Sequence, residues 1–244
     1  MLESVTGSSG VVVPPVGYLR GVRELCTRHG IVHIADEVLT GFGRTGAWFA
    51  CDHEGVAPDL LVFAKGVNSG YVPLGGVLVG DRIHRVFTER PYPAGLTYSG
   101  HPLACAAAVG AIEAMHEEGT VAAAARLGEE VLRPGLERLA GHPCVGDVRG
   151  IGALWTLELV ADQATKEPLP TGGPEMTAFI RACLDRDLLT LVLANRVHVA
   201  PPLNITDSDA AIGLAALDDA LAVVDRARSA FEPASAERVA FGPA

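Results

Sequence analysis

Apolar residues in the first part of the chain form two short continuous runs, each closed by an ionisable group. Ile31-Val-His-Ile-Ala ends in Asp36 and Glu37, and Leu60-Leu-Val-Phe-Ala ends in Lys65 and Gly66. Each run is about one buried strand long and sets its charged group at the carboxyl end, where open α/β sheets build their sites. Before them, Leu19, Val22, Leu25 and Cys26 recur at helical spacing between Gly17 and His29, with Gly30 as the stop. Gly75 to Val79 reads as a further strand beside the one ending at Lys65. An Ala-rich helix opens at Pro102 and runs to about Met115, and a second spans Thr120 to Ala140, bent or split at Pro134.

The pattern changes after Gly141-His142-Pro143. Gly152 to Val160 alternates as a half-buried strand, Glu175 to Arg186 is helical, and Leu188 to Leu193 and Arg196 to Ala200 are strands. Thr206 to Phe231 is a long helix, opened by Thr206 and Asp209 as a capping pair. The expectation is an α/β chain in two units: residues 1–141, a mostly parallel sheet with flanking helices, and residues 142–244, a small α+β domain.

Composition narrows the partners. Of the 244 residues 49% are hydrophobic and 20% charged, and the net charge of −10 comes without any Lys- or Arg-rich run. That argues for small-molecule partners or copies of the chain itself, and against nucleic acid or a membrane surface. Five widely spaced cysteines (Cys26, Cys51, Cys105, Cys144, Cys183) suggest buried thiols rather than a disulfide framework or a zinc site. With no run long enough for a membrane span and no signal-peptide pattern, a cytoplasmic location is expected.

The chemistry begins with Asp36 and Lys65. A lysine ending a single strand is ordinarily solvated; one leaving a buried run with glycine behind it can be desolvated and become a nucleophile towards carbonyls. Together the two are the parts that pyridoxal phosphate needs, an amine for its aldehyde and an acid for its ring nitrogen. Gly41-Phe-Gly43-Arg44-Thr45-Gly46 matches the dinucleotide pattern G-x-G-x-x-G but lies apart from a strand end and opens no helix, so it reads as a close-packed loop over a site. Thr97 and Ser99, ahead of the helix at Pro102, suit a phosphate at a helix start or serve as caps alone.

Ile34 to Gly46, Pro58-Asp59, Ala64-Lys65-Gly66, Pro73 to Gly76, Thr97 to Pro102 and Ala200-Pro-Pro-Leu203 occur in this order. Together they resemble the class III aminotransferases of pyridoxal phosphate fold type I, over essentially the whole chain. Ala64 to Gly76 with Asn195-Arg196 is similar to the taurine–pyruvate and omega-aminotransferase branch. The resemblance implies pyridoxal 5'-phosphate as cofactor, Lys65 as its attachment lysine, Asp36 on the ring nitrogen and Val38 against a ring face. It implies that Thr97 reaches the phosphate held by the opposite subunit of a homodimer. His33, His53 and His101 match no catalytic position.

Two departures qualify this. The family's N-terminal part, with its Gly/Ser phosphate loop and ring-stacking aromatic, has no counterpart here, and Glu3 matches an acid on the strand before Asp36. Where many relatives carry a carboxylate-binding arginine, ten positions before Pro201, this chain has Leu191; Arg196 serves a carboxylate or sulfonate instead, or is a surface strand arginine. The expected reaction is amino transfer between an amine donor (omega-amino acid, taurine-like or simple amine) and a keto acid such as pyruvate. The alternatives are a related aminomutase or decarboxylase, and a truncated non-catalytic remnant.

Overall fold

The computed structural model describes residues 1–231. Residues 232–244 of the unit expected at 142–244 lie outside the described residues. The N-terminal sheet has four strands in the order β1 (Leu2–Glu3), β2 (Ile34–Asp36), β3 (Leu60–Phe63) and β4 (Gly76–Val79). The first three run parallel, with Glu3 opposite Asp36 and Asp36 opposite Val62, and β4 returns antiparallel along β3. Helix α1 (Tyr18–Arg28) ends at His29, and Gly30 follows at φ +67°, a left-handed stop that glycine takes without strain. The helix buries Leu19 against Cys51, Val56 and Leu61. After β4 come α2 (Asp81–Glu89) and the Ala-rich α3 (Pro102–Glu117), which has proline in its first turn.

The expected break near Pro134 takes an unexpected form. Helix α4 (Thr120–Arg126) passes into a π-turn (Leu127–Leu132) and then α5 (Arg133–Leu139). The wider π-turn resets the hydrogen-bond register, so Pro134 falls in the first turn of α5, where its missing N–H is tolerated.

The C-terminal sheet is antiparallel, ordered β5 (Val145–Ile151), β6 (Leu154–Asp162), β9 (Arg196–Val199) and β8 (Leu191–Leu193), with β7 (Glu167–Pro168) on the far end of β6. Strand β5 was not expected from the sequence. Helices α6 (Pro174–Leu184) and α7 (Asp207–Phe231) pack on one face of this sheet. The Thr206 hydroxyl accepts the Asp209 N–H at 3.1 Å and donates to its carboxylate at 2.7 Å, which is the expected capping pair.

One face of β6 and β9 presents Trp155, Leu157, Leu159 and Val197 to the helices, where they meet Phe179, Leu221 and Val224. Burying each such side chain contributes about 1.5–3 kcal/mol. The same core takes in Ala124, Leu127, Leu132, Leu136 and Leu139, so it runs across the division expected at 141/142.

The two sheets meet through the Gly41–Gly46 loop. Arg44 donates to the carbonyls of Ala153 (3.0 Å) and Pro201 (2.7 Å), and the Ala153 N–H returns a bond to the Arg44 carbonyl at 3.0 Å. The expected close-packed loop is therefore found, and it fastens the C-terminal sheet to the N-terminal one. Among the described residues no helix is long and apolar enough to cross a membrane.

Candidate active site

Strands β2 and β3 are parallel neighbours, so their carboxyl ends, and the groups that follow, lie at the same edge of the sheet. Asp36 closes β2 opposite Val62, and Lys65 comes three residues beyond Val62. The lysine has φ +43°, a left-handed conformation that costs a non-glycine residue roughly 1–2 kcal/mol. Such strain persists only where the surroundings impose it, and it gathers at functional sites. Here the constraint is visible: a Cβ on the next residue, Gly66, would stand 3.0 Å from the Phe42 Cβ. Phe42 is itself fixed edge-on between Phe49 and Phe63, with centroids 5.4 and 5.8 Å away.

Lys65 is exposed among the described residues, contrary to the desolvated position expected for it. The strand before it and Gly66 behind it are packed, but these residues do not close over the side chain itself. It lines a cleft of about 1130 Å³ between the two sheets, together with Phe42, Arg44, Met115 of α3, Pro201 and Leu217 of α7.

Asp36 and Val38 stand at the strand end, outside the lining of that cleft. The Asp36 carboxylate accepts the Val38 N–H at 3.1 Å, which orients it along the turn. Thr97 lies elsewhere, exposed in a second cleft of about 690 Å³ bounded by Val72–Gly75, Leu96–His101 and Ala104. Neither Thr97 nor Ser99 caps α3, because the N-cap position belongs to His101 and carries no side-chain bond.

Arg196 is not among the residues lining the Lys65 cleft; it donates to the Ser9 carbonyl, with its Cδ packed over Gly10. Leu191 is exposed and lines the Lys65 cleft, directly opposite His198 in the ladder. His53 bonds the Thr45 carbonyl and hydroxyl, each at 3.1 Å, whereas the buried His33 ring has no partner among the described residues.

Two residues at this site escaped the sequence reading. Glu37 is fully buried, and its carboxylate accepts Ser4 Oγ at 2.6 Å, the Ala50 and Cys51 N–H groups at 2.9 Å each, and the Thr40 hydroxyl. Four donors on one carboxylate fix the turn that carries Asp36 and Val38. The available signal was a second acid after an apolar strand, where an unpaired charge would be costly. Arg44 is the other: inside a glycine-rich loop its charge pointed to no partner, and its acceptors lie more than a hundred residues away.

Burial shapes the thiols as well. Desolvation, with the Glu37 charge adding to it, pushes Cys51 up to about 12, and desolvation pushes Cys183 up to about 11. Cys105 is exposed, against the expectation that all five cysteines are buried, because it lies on a surface turn of α3.

Comparison with known proteins gives this geometry a family. The aminotransferase class-III profile matches residues 1–221. The chain is 41% identical over 220 residues to the adenosylmethionine-8-amino-7-oxononanoate aminotransferase of Nitratidesulfovibrio vulgaris, covering 84% of this chain and 39% of the relative. It is 39% identical over 207 residues to the putrescine–pyruvate aminotransferase of Pseudomonas aeruginosa, covering 84% and 45%. The solved taurine:2-oxoglutarate aminotransferase of Bifidobacterium kashiwanohense, in complex with pyridoxal phosphate and glutamate, superposes with a TM-score of 0.87 at 42% identity, covering 92% of this chain and 51% of that one. The chain thus spans about half the length of the relatives it matches, or less. It belongs to the class III aminotransferases, pyridoxal phosphate-dependent enzymes of fold type I.

Proposed function

We propose that the chain serves amino transfer between an amine donor (omega-amino acid, taurine-like or simple amine) and a keto acid such as pyruvate, with Lys65 as the attachment residue for pyridoxal phosphate. The observation that carries this reading is the left-handed backbone of Lys65 at the carboxyl end of β3, beside Asp36 at the end of the parallel β2. An amine on one strand end and a carboxylate on its neighbour fit the two ends of that cofactor's ring system. The relatives' names, from a taurine enzyme to a putrescine enzyme, support an amine donor of this broad class.

When bound, pyridoxal phosphate supplies a ring that withdraws electrons from the substrate carbon. Lys65 Nζ would hold the group as its attachment amine and would serve as the base for the proton at that carbon. Asp36 would pair its carboxylate with the ring nitrogen and favour that nitrogen's protonated form. Val38, whose N–H is bonded to Asp36, would be the residue to pack on a ring face. Thr97, in a separate exposed cleft, reaches the phosphate of a second subunit, so the working unit is a homodimer with shared sites in the cytoplasm. For Arg196 to meet a carboxylate or sulfonate, its guanidinium must leave the Ser9 carbonyl.

The chain holds two lysines, Lys65 and Lys166, which makes the test direct. Incubation with pyridoxal phosphate, reduction with borohydride and peptide mass mapping should place the adduct on Lys65. Lys166, exposed and bonded to the Gly146 carbonyl at 2.6 Å, is the internal control. An adduct on Lys166 alone, or labelling of Lys166 equal to that of Lys65, overturns the reading. Product analysis separates amino transfer from aminomutase or decarboxylase chemistry. A second reading, a non-catalytic remnant, draws on Val77, Leu78 and Val79, each about half exposed on edge strand β4.

A further inference from the structure

The turn before β5 is joined to α7 through one imidazole. His142 Nδ1 stands 2.6 Å from Asp225 Oδ2, and His142 Nε2 stands 2.7 Å from Asp218 Oδ1. A neutral imidazole has one N–H and one lone pair, so one of these contacts would set a lone pair against a carboxylate oxygen. Only the imidazolium, with two donors, satisfies both.

The geometry around the ring is built for this. Asp218 and Asp225 are seven residues apart on α7, two turns along one face. Asp225 also accepts the Cys144 N–H at 3.1 Å, which fixes it against the head of β5. Gln163, from the turn after β6, donates to the His142 carbonyl at 3.0 Å, and Arg228 of α7 donates to the carbonyl of Pro143 at 3.2 Å. The titratable and charged groups around His142 among the described residues are therefore Asp218, Asp225 and Arg228 from α7 and the Cys144 thiol from the sheet side. The amino-terminal half of the same helix, with Asp209, Gly213 and Leu217, forms a wall of the cleft that Lys65 lines.

We propose that His142 is a pH-operated clasp: as the imidazolium it holds α7, and with it one wall of the cleft, against the head of β5, and loss of its proton releases that hold. The clasp stands on its own contacts and does not depend on the chemistry of the cleft. Burial disfavours the charged ring, but the bonds to Asp225 and Asp218 outweigh it and raise the imidazole above its ordinary value. A raised base stabilises the folded state fully below its ordinary value of about 6.5, and that stability is lost as pH rises through the raised value.

The test uses the chain itself. Long-range nitrogen–proton correlation spectra of the His142 ring, followed from about pH 6 to about pH 9, should show both nitrogens protonated at neutral pH and a midpoint that falls in Asp218→Asn. Over the same range, hydrogen exchange of the α7 amides should quicken, beyond the intrinsic rate, as the ring titrates. His142→Gln should lose about 2–4 °C in melting temperature at the acid end, a size usual for one such contact in a chain this long, and should no longer differ from the parent at the alkaline end. A neutral ring at neutral pH, or α7 protection indifferent to its titration, overturns the proposal. The spectra decide the question even if the variant fails to fold.

Discussion

Ser4, one residue past β1, donates a 2.6 Å hydrogen bond to Glu37, one residue past β2, so the ends of two neighbouring strands are tied through a single buried carboxylate. Removing that carboxylate as Glu37→Ala leaves four donors facing an empty space. The expected loss is at least about 3 kcal/mol, given that one unsatisfied buried donor costs about 1–3 kcal/mol. Glu37→Gln keeps the shape but turns an N–H2 towards donors, so it should fall between the two, and Ser4→Ala should cost about 1 kcal/mol. Urea unfolding of the three variants checks the order; a neutral Glu37→Ala would show that the network contributes nothing.

The strain at Lys65 can be measured apart from its chemistry. Both Lys65→Gly and Lys65→Ala should lose the borohydride adduct at this position. At φ +43° glycine is unstrained whereas alanine keeps the penalty, so Lys65→Gly should be the more stable of the two by about 1 kcal/mol. Equal stabilities would mean that the left-handed backbone relaxes without cost.

Acid should loosen the amino ends of β2 and β3 through Asp59. Its carboxylate is buried, which by itself favours the neutral acid, yet the His33 N–H at 2.8 Å and Arg23 at 2.9 Å, with Arg82 further out at 3.5 Å, draw it below the ordinary value. A depressed acid stabilises the fold above its ordinary value of about 3.9, and that contribution disappears as pH falls through the lowered one. Melting temperature should therefore fall more steeply below about pH 4 in the parent than in Asp59→Asn, which has lost this titration.

Thiol labelling should rank the cysteines by burial. Under native conditions near pH 8, about the range where an unperturbed thiol begins to ionise, Cys105 should react first. Cys51, pushed up to about 12, and Cys183, pushed up to about 11, should wait for unfolding, as should the buried Cys144. Quantified alkylation over time reads this order, and early modification of Cys51 would mean that the Glu37 region opens.

Much of the fold was legible because it rests on local pattern. The apolar runs before Asp36 and Lys65, the cap at Thr206 and the proline opening α3 all express rules that act within a few residues. Strand β5 was missed for a physical reason: Gly146, Asp147, Arg149 and Gly150 make Val145–Ile151 look like a loop. In the fold Arg149 answers its own charges, pairing with Asp147 at 2.5 Å and Glu158 at 2.6 Å across the ladder. The site divides the same way. Asp36 and Lys65 sit on strand ends that sequence can locate, whereas Arg44 finds its acceptors at Ala153 and Pro201, and Arg196 finds Ser9, through tertiary approach alone.

At Gly152 three stretches of backbone cross with no side chain between them. A Cβ there would lie 2.3 Å from the Thr45 carbonyl carbon, and one on Gly128, in the π-turn, would lie 2.3 Å from the Gly152 carbonyl oxygen. Main chains this close cannot slide past one another, because sliding would bring the flanking side chains into the gap. The Gly41–Gly46 loop, the π-turn and the turn between β5 and β6 are therefore locked to one another by main-chain contact, and any side chain at Gly152 or Gly128 would force them apart.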